Sequence, residues 1–301
     1  MLIITEKYGQ LCNRLFLFAH VIAFAIENKL KVFNPAFDEY CQFFKTTNKD
    51  LFCRYPHKRS LIKGNRWLRY IYYRLVHLIF RINNILNIAP KIRLHFEKER
   101  FDFSDYKALN QVRQIKNTPI TFLSGFYFRD PPNFERYANE IRKYFQPLDK
   151  YQLNISHLIK KARKKCDILM GVHIRRGDYR MLKKLYFYTD KEYIAIMKSI
   201  KKLFPDKKVS FFIVSNAKLD KALFENLTCC FGSNDMIEDL YSLAQCNYII
   251  GPPSTYTRWA SFYGQVPLHV INYKEAEIHG EYDPNRRLQI EDFVIYRGKN
   301  L

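Results

Sequence analysis

The sequence predicts an α/β fold of two Rossmann-like domains facing a cleft. Three observations predict it: a strand–turn–helix–strand opening over residues 2–33, a regular alternation of apolar strands and helix-length segments from Asp167 to Ile271, and a less regular stretch between them. With 301 residues the chain can bury a large core and divide into two domains, expected at 1–150 and 151–301.

Leu2-Ile3-Ile4-Thr5 is a β-rich run, Tyr8-Gly9-Gln10 a turn, Leu11–Asn28 an apolar helix and Lys31-Val32-Phe33 a second strand, which closes a βαβ unit. Residues 40–120 are poor in strand signals, and a basic helical insertion is expected at about 51–116. Thr121–Gly125 reads as a buried strand, Pro131-Pro132 interrupts the chain, and a polar helix follows over Asn133–Phe145. Strands are then expected at Ile168–Ile174, Val209–Val214, Thr228–Phe231, Tyr248–Ile250 and Leu268–Ile271. Helices Lys191–Leu203, Lys218–Glu225, Met236–Gln245 and Thr255–Tyr263 separate them. Strands spaced by helices of this length form a parallel, doubly wound sheet, and ligands of such sheets sit at the carboxyl ends of the strands.

Composition excludes a disordered chain: 48% of residues are hydrophobic and 16% aromatic. Seven cysteines, an odd number at irregular spacings with no C-x-x-C pair, argue against a disulfide framework or half a zinc site and fit a reducing cytoplasm. The stretch Leu15–Ile26 is about half the ~20 residues that would span a bilayer, holds His20, and reads as a buried helix rather than a signal sequence. The formal charge of +21 is unevenly spread: Leu51 to Phe96 contains no Asp or Glu but holds Arg54, Arg66, Arg69, Arg74, Arg81 and Arg93 among its basic residues. Such a field attracts phosphorylated substrates, anionic lipid or nucleic acid.

The residues able to carry chemistry lie where the strands end. His173-Ile174-Arg175-Arg176-Gly177-Asp178-Tyr179 sends two guanidiniums, a glycine and a carboxylate out of the sheet together, which suits an anionic ligand held bidentately; an Arg–Asp pair in a surface turn is the plainer alternative. Ser215-Asn216 follows a very apolar strand and can bond a base or ribose edge, or simply cap the next helix. Glu238-Asp239 can meet a ligand or act as ordinary dipole partners in a first helical turn. Gly251-Pro252-Pro253 leads into Ser254, Thr255 and Tyr256, where a helix N-terminus can bind phosphate through backbone N–H groups or be merely capped. Asn13 and Arg14 open the first helix beside Gly9. There is no Gly-x-Gly-x-x-Gly, no Gly-Lys-Thr loop and no Asp-x-Asp metal motif; two arginines can neutralise a diphosphate leaving group as a metal does elsewhere.

In this order the residues resemble the bacterial α1,2-fucosyltransferases, glycosyltransferase family 11, and more distantly the α1,6- and protein O-fucosyltransferases. The arginine motif H-x-R-R-G-D-Y is matched from His173 to Tyr179. Further similar segments are Phe211–Asn216, Asp239–Cys246, Pro253–Phe262 and Gly9–Arg14, with Cys12, Arg14, Asn216, Pro253 and Arg258 departing from the family's usual residues. The resemblance implies the two-domain architecture called GT-B, a GDP-fucose donor, no metal or other cofactor, inversion at the sugar carbon and a glycan acceptor; that the glycan is lipid-linked is an expectation from the basic stretch described next. It implies Arg175 on the diphosphate, Ser254 and Thr255 at the β-phosphate, and His173, Asn216 and Asp239 along the nucleotide; Arg176 and Tyr256, beside them in the sequence, are further donor-binding candidates. Asn13 would lie near phosphate or acceptor, and Asp178 is the candidate for acceptor activation.

In the basic stretch, Arg66, Arg69, Arg74, His77 and Arg81 fall within an arc of ~140° if the segment is helical, with bulky aliphatics over much of the rest. That pattern suits a helix lying on an anionic membrane surface through residues 51–96, or a core helix with a solvated basic face. A nucleic-acid-binding role rests on charge alone, since no reader motif is present, and nucleic acid is not an expected partner. A sugar-nucleotide binder without catalysis is the other alternative. The expected location is cytoplasmic, peripheral at the inner face of the membrane.

Overall fold

The computed structural model describes residues 1–58, 64–94, 115–164, 166–177, 179, 186–278 and 288–298. They fall into two compact units, Met1–Leu148 with Arg297–Leu301, and Asp149–Tyr296. Arg297 leaves the second unit to pair with Glu135 at 3.0 Å, and Gly298 packs on Phe134, so the chain's end belongs to the first unit.

The first unit holds β1 (Leu2–Ile4), α1 (Leu11–Glu27), β2 (Val32–Phe33), β3 (Arg54–Tyr55), α2 (Arg66–Leu86), β4 (Lys91–Leu94), β5 (Thr121–Gly125), α3 (Pro131–Arg136) and α4 (Ala138–Tyr144). Its sheet runs β3-β2-β1-β5-β4, parallel except for the β2–β3 pair. Helix α1 is buried almost all round, as its continuous apolar run predicts, and its Phe18 packs edge-on against Phe37 and Phe145 with both centroids at 5.6 Å. His20, inside that helix, accepts the Asp130 N–H on Nδ1 (3.0 Å) and stacks on Phe134, tying α1 to the start of α3.

The second unit holds α5 (Asp149–Arg163), β6 (Ile168–Ile174), α6 (Asp190–Lys201), β7 (Val209–Ser215), β8 (Cys229–Phe231), α7 (Met236–Leu243), β9 (Tyr248–Gly251), α8 (Thr255–Gly264), β10 (Leu268–Val270) and α9 (Tyr273–Ile278). All five strands are parallel in the order β10-β9-β6-β7-β8. The chain steps from β6 outward through β7 to β8, then returns to the other side of β6 for β9 and β10. The strand order therefore reverses between β6 and β9, where an open α/β sheet leaves a crevice at its carboxyl edge. A capping box of Thr189 and Glu192 starts α6.

Two expected helices differ. Lys218–Glu225 is a single 3-10 turn over Lys221–Phe224, because the Asp220 carboxylate accepts the Ala222 N–H (3.1 Å) and restarts the chain there. Asn133–Phe145 is two short helices, α3 and α4, meeting at Tyr137.

Candidate active site

The second unit brings the ends of β6 and β9 together at the switch point. Val172 pairs with Ile250, so His173 and Gly251 come next to each other. A Cβ on Gly251 would lie 2.9 Å from Thr257 Cγ2 and 3.1 Å from the His173 Cβ, so only a bare α-carbon allows the approach. His173 is 3% exposed, and its Nδ1 has no hydrogen-bond partner among the described residues. Burial, then the charge of Arg175, depresses its pKa to about 3, so the imidazole is neutral. Its ring lies 4.9 Å from that of Tyr256, whose hydroxyl donates to the Met236 carbonyl (3.0 Å).

Past Ile174 the two arginines diverge. Arg176 pairs with Asp190, donates to the Tyr188 carbonyl and lies over the rings of Phe187 and Tyr193. This arginine braces the segment before α6 rather than standing beside Arg175. The Arg175 guanidinium instead lies 5.1 Å from the Tyr179 ring centroid, and the Tyr179 hydroxyl donates to the Pro253 carbonyl. Tyr179 thus straps the loop after β6 to the loop after β9, with Arg175 on the strap. Asn216 also acts on this loop: its Oδ1 accepts the Arg176 N–H (2.8 Å), and Gly177 turns with φ +36° where a Cβ would meet Asn216 Nδ2 at 2.7 Å. It caps no helix. Asp178 lies outside the described residues.

Ser254 is the N-cap of α8, accepting the Tyr256 N–H on Oγ (3.2 Å), while Thr257 Oγ1 donates to the Ser254 carbonyl (3.0 Å). The cap and the phosphate reading are compatible, since the positive end of the helix dipole lies at the same end. Asp239, in the first turn of α7, sits against the carboxyl end of β8. It is buried against Gly232 and accepts the Ser233 N–H (2.9 Å), which holds the loop after β8. Glu238 accepts from Asn154 (2.6 Å) and fastens α7 to α5.

Burial pushes the Asp239 carboxyl up to about 7 against the help of its backbone N–H donors. The folded chain therefore binds more protons at this site than the unfolded chain between about pH 4 and 7, and the site subtracts stability as pH rises through that window. Asp239→Asn should flatten the decline by on the order of 2–4 kcal/mol at pH 8 relative to pH 4, read from urea unfolding at each pH. Parallel curves for the two proteins would refute this.

The first unit carries a second polar cluster, of which the sequence singles out only Asn13 and Arg14. Thr5 and Glu6 leave β1, and Glu6 accepts from the Tyr8 hydroxyl. Burial and that bond raise the Tyr8 pKa, so the phenol stays protonated. Lys7 bridges Asp38 and Glu39 at 2.8 Å each, and Arg14 pairs with Glu39 (2.9 Å) while donating to the Ala36 carbonyl. Asn13 packs directly on Gly9. Glu6, Lys7 and Tyr8 lie just past a strand end, so the carboxyl-edge rule applied to β1 would have found them. Among the described residues no group of three His, Cys, Asp or Glu side chains could hold a metal ion.

The architecture of parallel-sheet α/β units, with arginine and serine loops at a switch point, is that of the GT-B-like glycosyltransferases. Solved structures of similar fold include Arabidopsis thaliana FUT1 in complex with GDP (TM-score 0.59, 12% identity, covering 97% of this chain and 73% of that one). Others are fucosyltransferase NodZ from Bradyrhizobium (0.53, 15%, 90% and 95%) and POFUT1 in complex with GDP-fucose (0.53, 13%, 89% and 97%). Curated proteins offer no match. The model of glycosyl transferase family 11 matches residues 74–287, and the chain belongs to that family; it is a glycosyltransferase.

Proposed function

We propose that the protein transfers fucose from GDP-fucose to a hydroxyl of a glycan, free or lipid-linked, in surface polysaccharide or lipopolysaccharide synthesis, with inversion and without a metal. The observation that carries this reading is the strap at the switch point, where Arg175 lies on Tyr179 between the β6 loop and the Ser254 end of α8. A diphosphate there would meet a guanidinium from one strand end and the positive end of the α8 dipole from the next. Both complement the charge that develops on the leaving GDP. Of the similar structures named above, FUT1 is in complex with GDP and POFUT1 with GDP-fucose, which supports the choice of nucleotide. His173, neutral and with Nδ1 unpaired, and Tyr256 would face the nucleotide. In this reading Asp239 and Asn216 shape the loops that receive it, and Arg176 braces the arginine loop.

Asn13 and the Glu6–Lys7–Tyr8 edge of the first unit are the candidates for acceptor contact, and Asp178 is the candidate for drawing the proton from the attacking hydroxyl. Within the same reading the protein works in the cytoplasm and meets an anionic membrane through residues 51–96. None of the helices described is long and apolar enough to cross a membrane. Nucleotide release from GDP-fucose, GDP-mannose, UDP-glucose and UDP-galactose tests the donor. GDP-fucose should turn over at least about tenfold faster than the others, a difference of ~1.4 kcal/mol in transition-state binding. Faster release from a UDP-sugar would overturn the reading.

A further inference from the structure

Helix α2 has three faces, and the outermost is unlike the surface of an ordinary soluble domain. Its inward face is Arg69, Val76, Phe80 and Asn83. Arg69 donates to the carbonyls of Thr47 and Asn48, so it anchors the helix to the unit and leaves the basic arc predicted from the sequence. On the same side Tyr73 lies under Lys7 and His77 meets the Thr5 carbonyl (3.3 Å), which seats α2 across the carboxyl end of β1.

The opposite face is apolar and exposed. Trp67 (67%), Ile71 (41%), Leu75 (53%), Leu78 (54%), Ile82 (45%) and Ile85 (78%) lie on it, within an arc of ~80° at ~100° per residue. Single exposed aliphatics are ordinary, but a contiguous stripe running the length of a 21-residue helix is not. Arg74 and Arg81 rim one long edge of the stripe and line, with Ile71, Leu75, His77 and Leu78, a shallow groove. Arg93, hydrogen-bonded to Asn84 (2.7 Å), extends that rim. No carboxylate occurs from Leu51 to Phe96, so nothing in this stretch opposes an anionic partner.

We propose that this face of α2 lies flat on an anionic lipid bilayer, with the apolar stripe in the acyl boundary and Arg74, Arg81 and Arg93 on the headgroups. The helix cannot span a bilayer with its arginines, yet it has the stripe and basic rim of an interfacial helix. The charge argument selects lipid over a second copy of the chain, since two such faces would place +21 chains arginine to arginine. Bilayer contact here would sit one helix diameter, ~10 Å, from the β1 edge, within reach of an acceptor carried on lipid. The inference rests on the membrane part of the proposed function and not on its donor.

Vesicle co-sedimentation of the full chain tests it, with vesicles of phosphatidylcholine alone or with phosphatidylglycerol at one part in three. The protein should bind the anionic vesicles, with binding falling as salt rises, and should bind neutral ones far more weakly. The double variant Arg74→Gln/Arg81→Gln should bind about 30-fold more weakly, ~5-fold per arginine. Leu75→Asp/Leu78→Asp should abolish sedimentation, while circular dichroism and donor turnover on a soluble acceptor stay as in the unchanged protein. Equal binding to both vesicles, no binding to either, or a dimer dispersed by Leu75→Asp/Leu78→Asp without vesicle binding would each overturn it. Donor turnover in the same samples keeps a failure of the enzymatic reading separate.

Discussion

Arg175→Ala lowers sugar transfer by about 10²–10³-fold, the usual loss when one charged donor to a developing oxyanion is removed. The expectation follows from what the other arginine does. Arg176 is occupied by Asp190 and Tyr188, so it cannot swing in as a replacement without unseating the start of α6. Arg175 packs on the face of Tyr179, a contact worth about 0.5–2 kcal/mol. Arg175→Lys should recover little, because a point charge does not reproduce the planar fork. A steady-state assay with GDP-fucose separates the outcomes: kcat should fall, with unfolding midpoints within a few degrees of the unchanged protein. Turnover within threefold of normal would mean that the diphosphate is held elsewhere.

The second large effect is expected at Gly251. Its α-carbon lies where a side chain would strike Thr257 and His173 together, and neither can give way easily. Thr257 is fully buried with its hydroxyl on the Ser254 carbonyl, and His173 is enclosed at the end of β6. Gly251→Val must therefore wedge β9 from β6 and push the start of α8 off its cap, costing about 1–3 kcal/mol of stability by overpacking. The same displacement should weaken GDP binding at least about tenfold, whereas Gly251→Ala should show a fraction of both effects. Urea unfolding with GDP titration reads the two together; a stable Gly251→Val protein with normal GDP affinity would show that the switch point is not the nucleotide site.

The second unit was legible because parallel strands buried on both faces are continuous apolar runs, as in Ile168–Ile174 and Val209–Ser215. The first unit was harder to read. Strand β4, Lys91-Ile92-Arg93-Leu94, alternates charged and apolar residues, but over four residues only and within a basic stretch read as helical. Strand β3 is two residues long. Motif position located Arg175, Ser254 and His173, because the ends of strands are visible in sequence. It could not separate Arg175 from Arg176, since adjacent guanidiniums look alike until Asp190, fourteen residues away, claims one of them. Asn216, just past the end of β7, and Asp239, in the first turn of α7, are polar residues visible in the sequence, but that each places an oxygen on a loop N–H is not. The orientation of Arg69 was invisible because a helical wheel orders residues by angle without saying which face docks.

The central claim, a GDP diphosphate on Arg175 at the β6–β9 switch point, is tested most directly by thermal unfolding with GDP, UDP and CDP. GDP at about 100 times its Kd should stabilise the unchanged protein by ~2.7 kcal/mol, a shift of several degrees. UDP and CDP should shift it less, and Arg175→Ala should lose most of the GDP effect. An equal shift by GDP in both proteins, or a larger one by UDP, would contradict it.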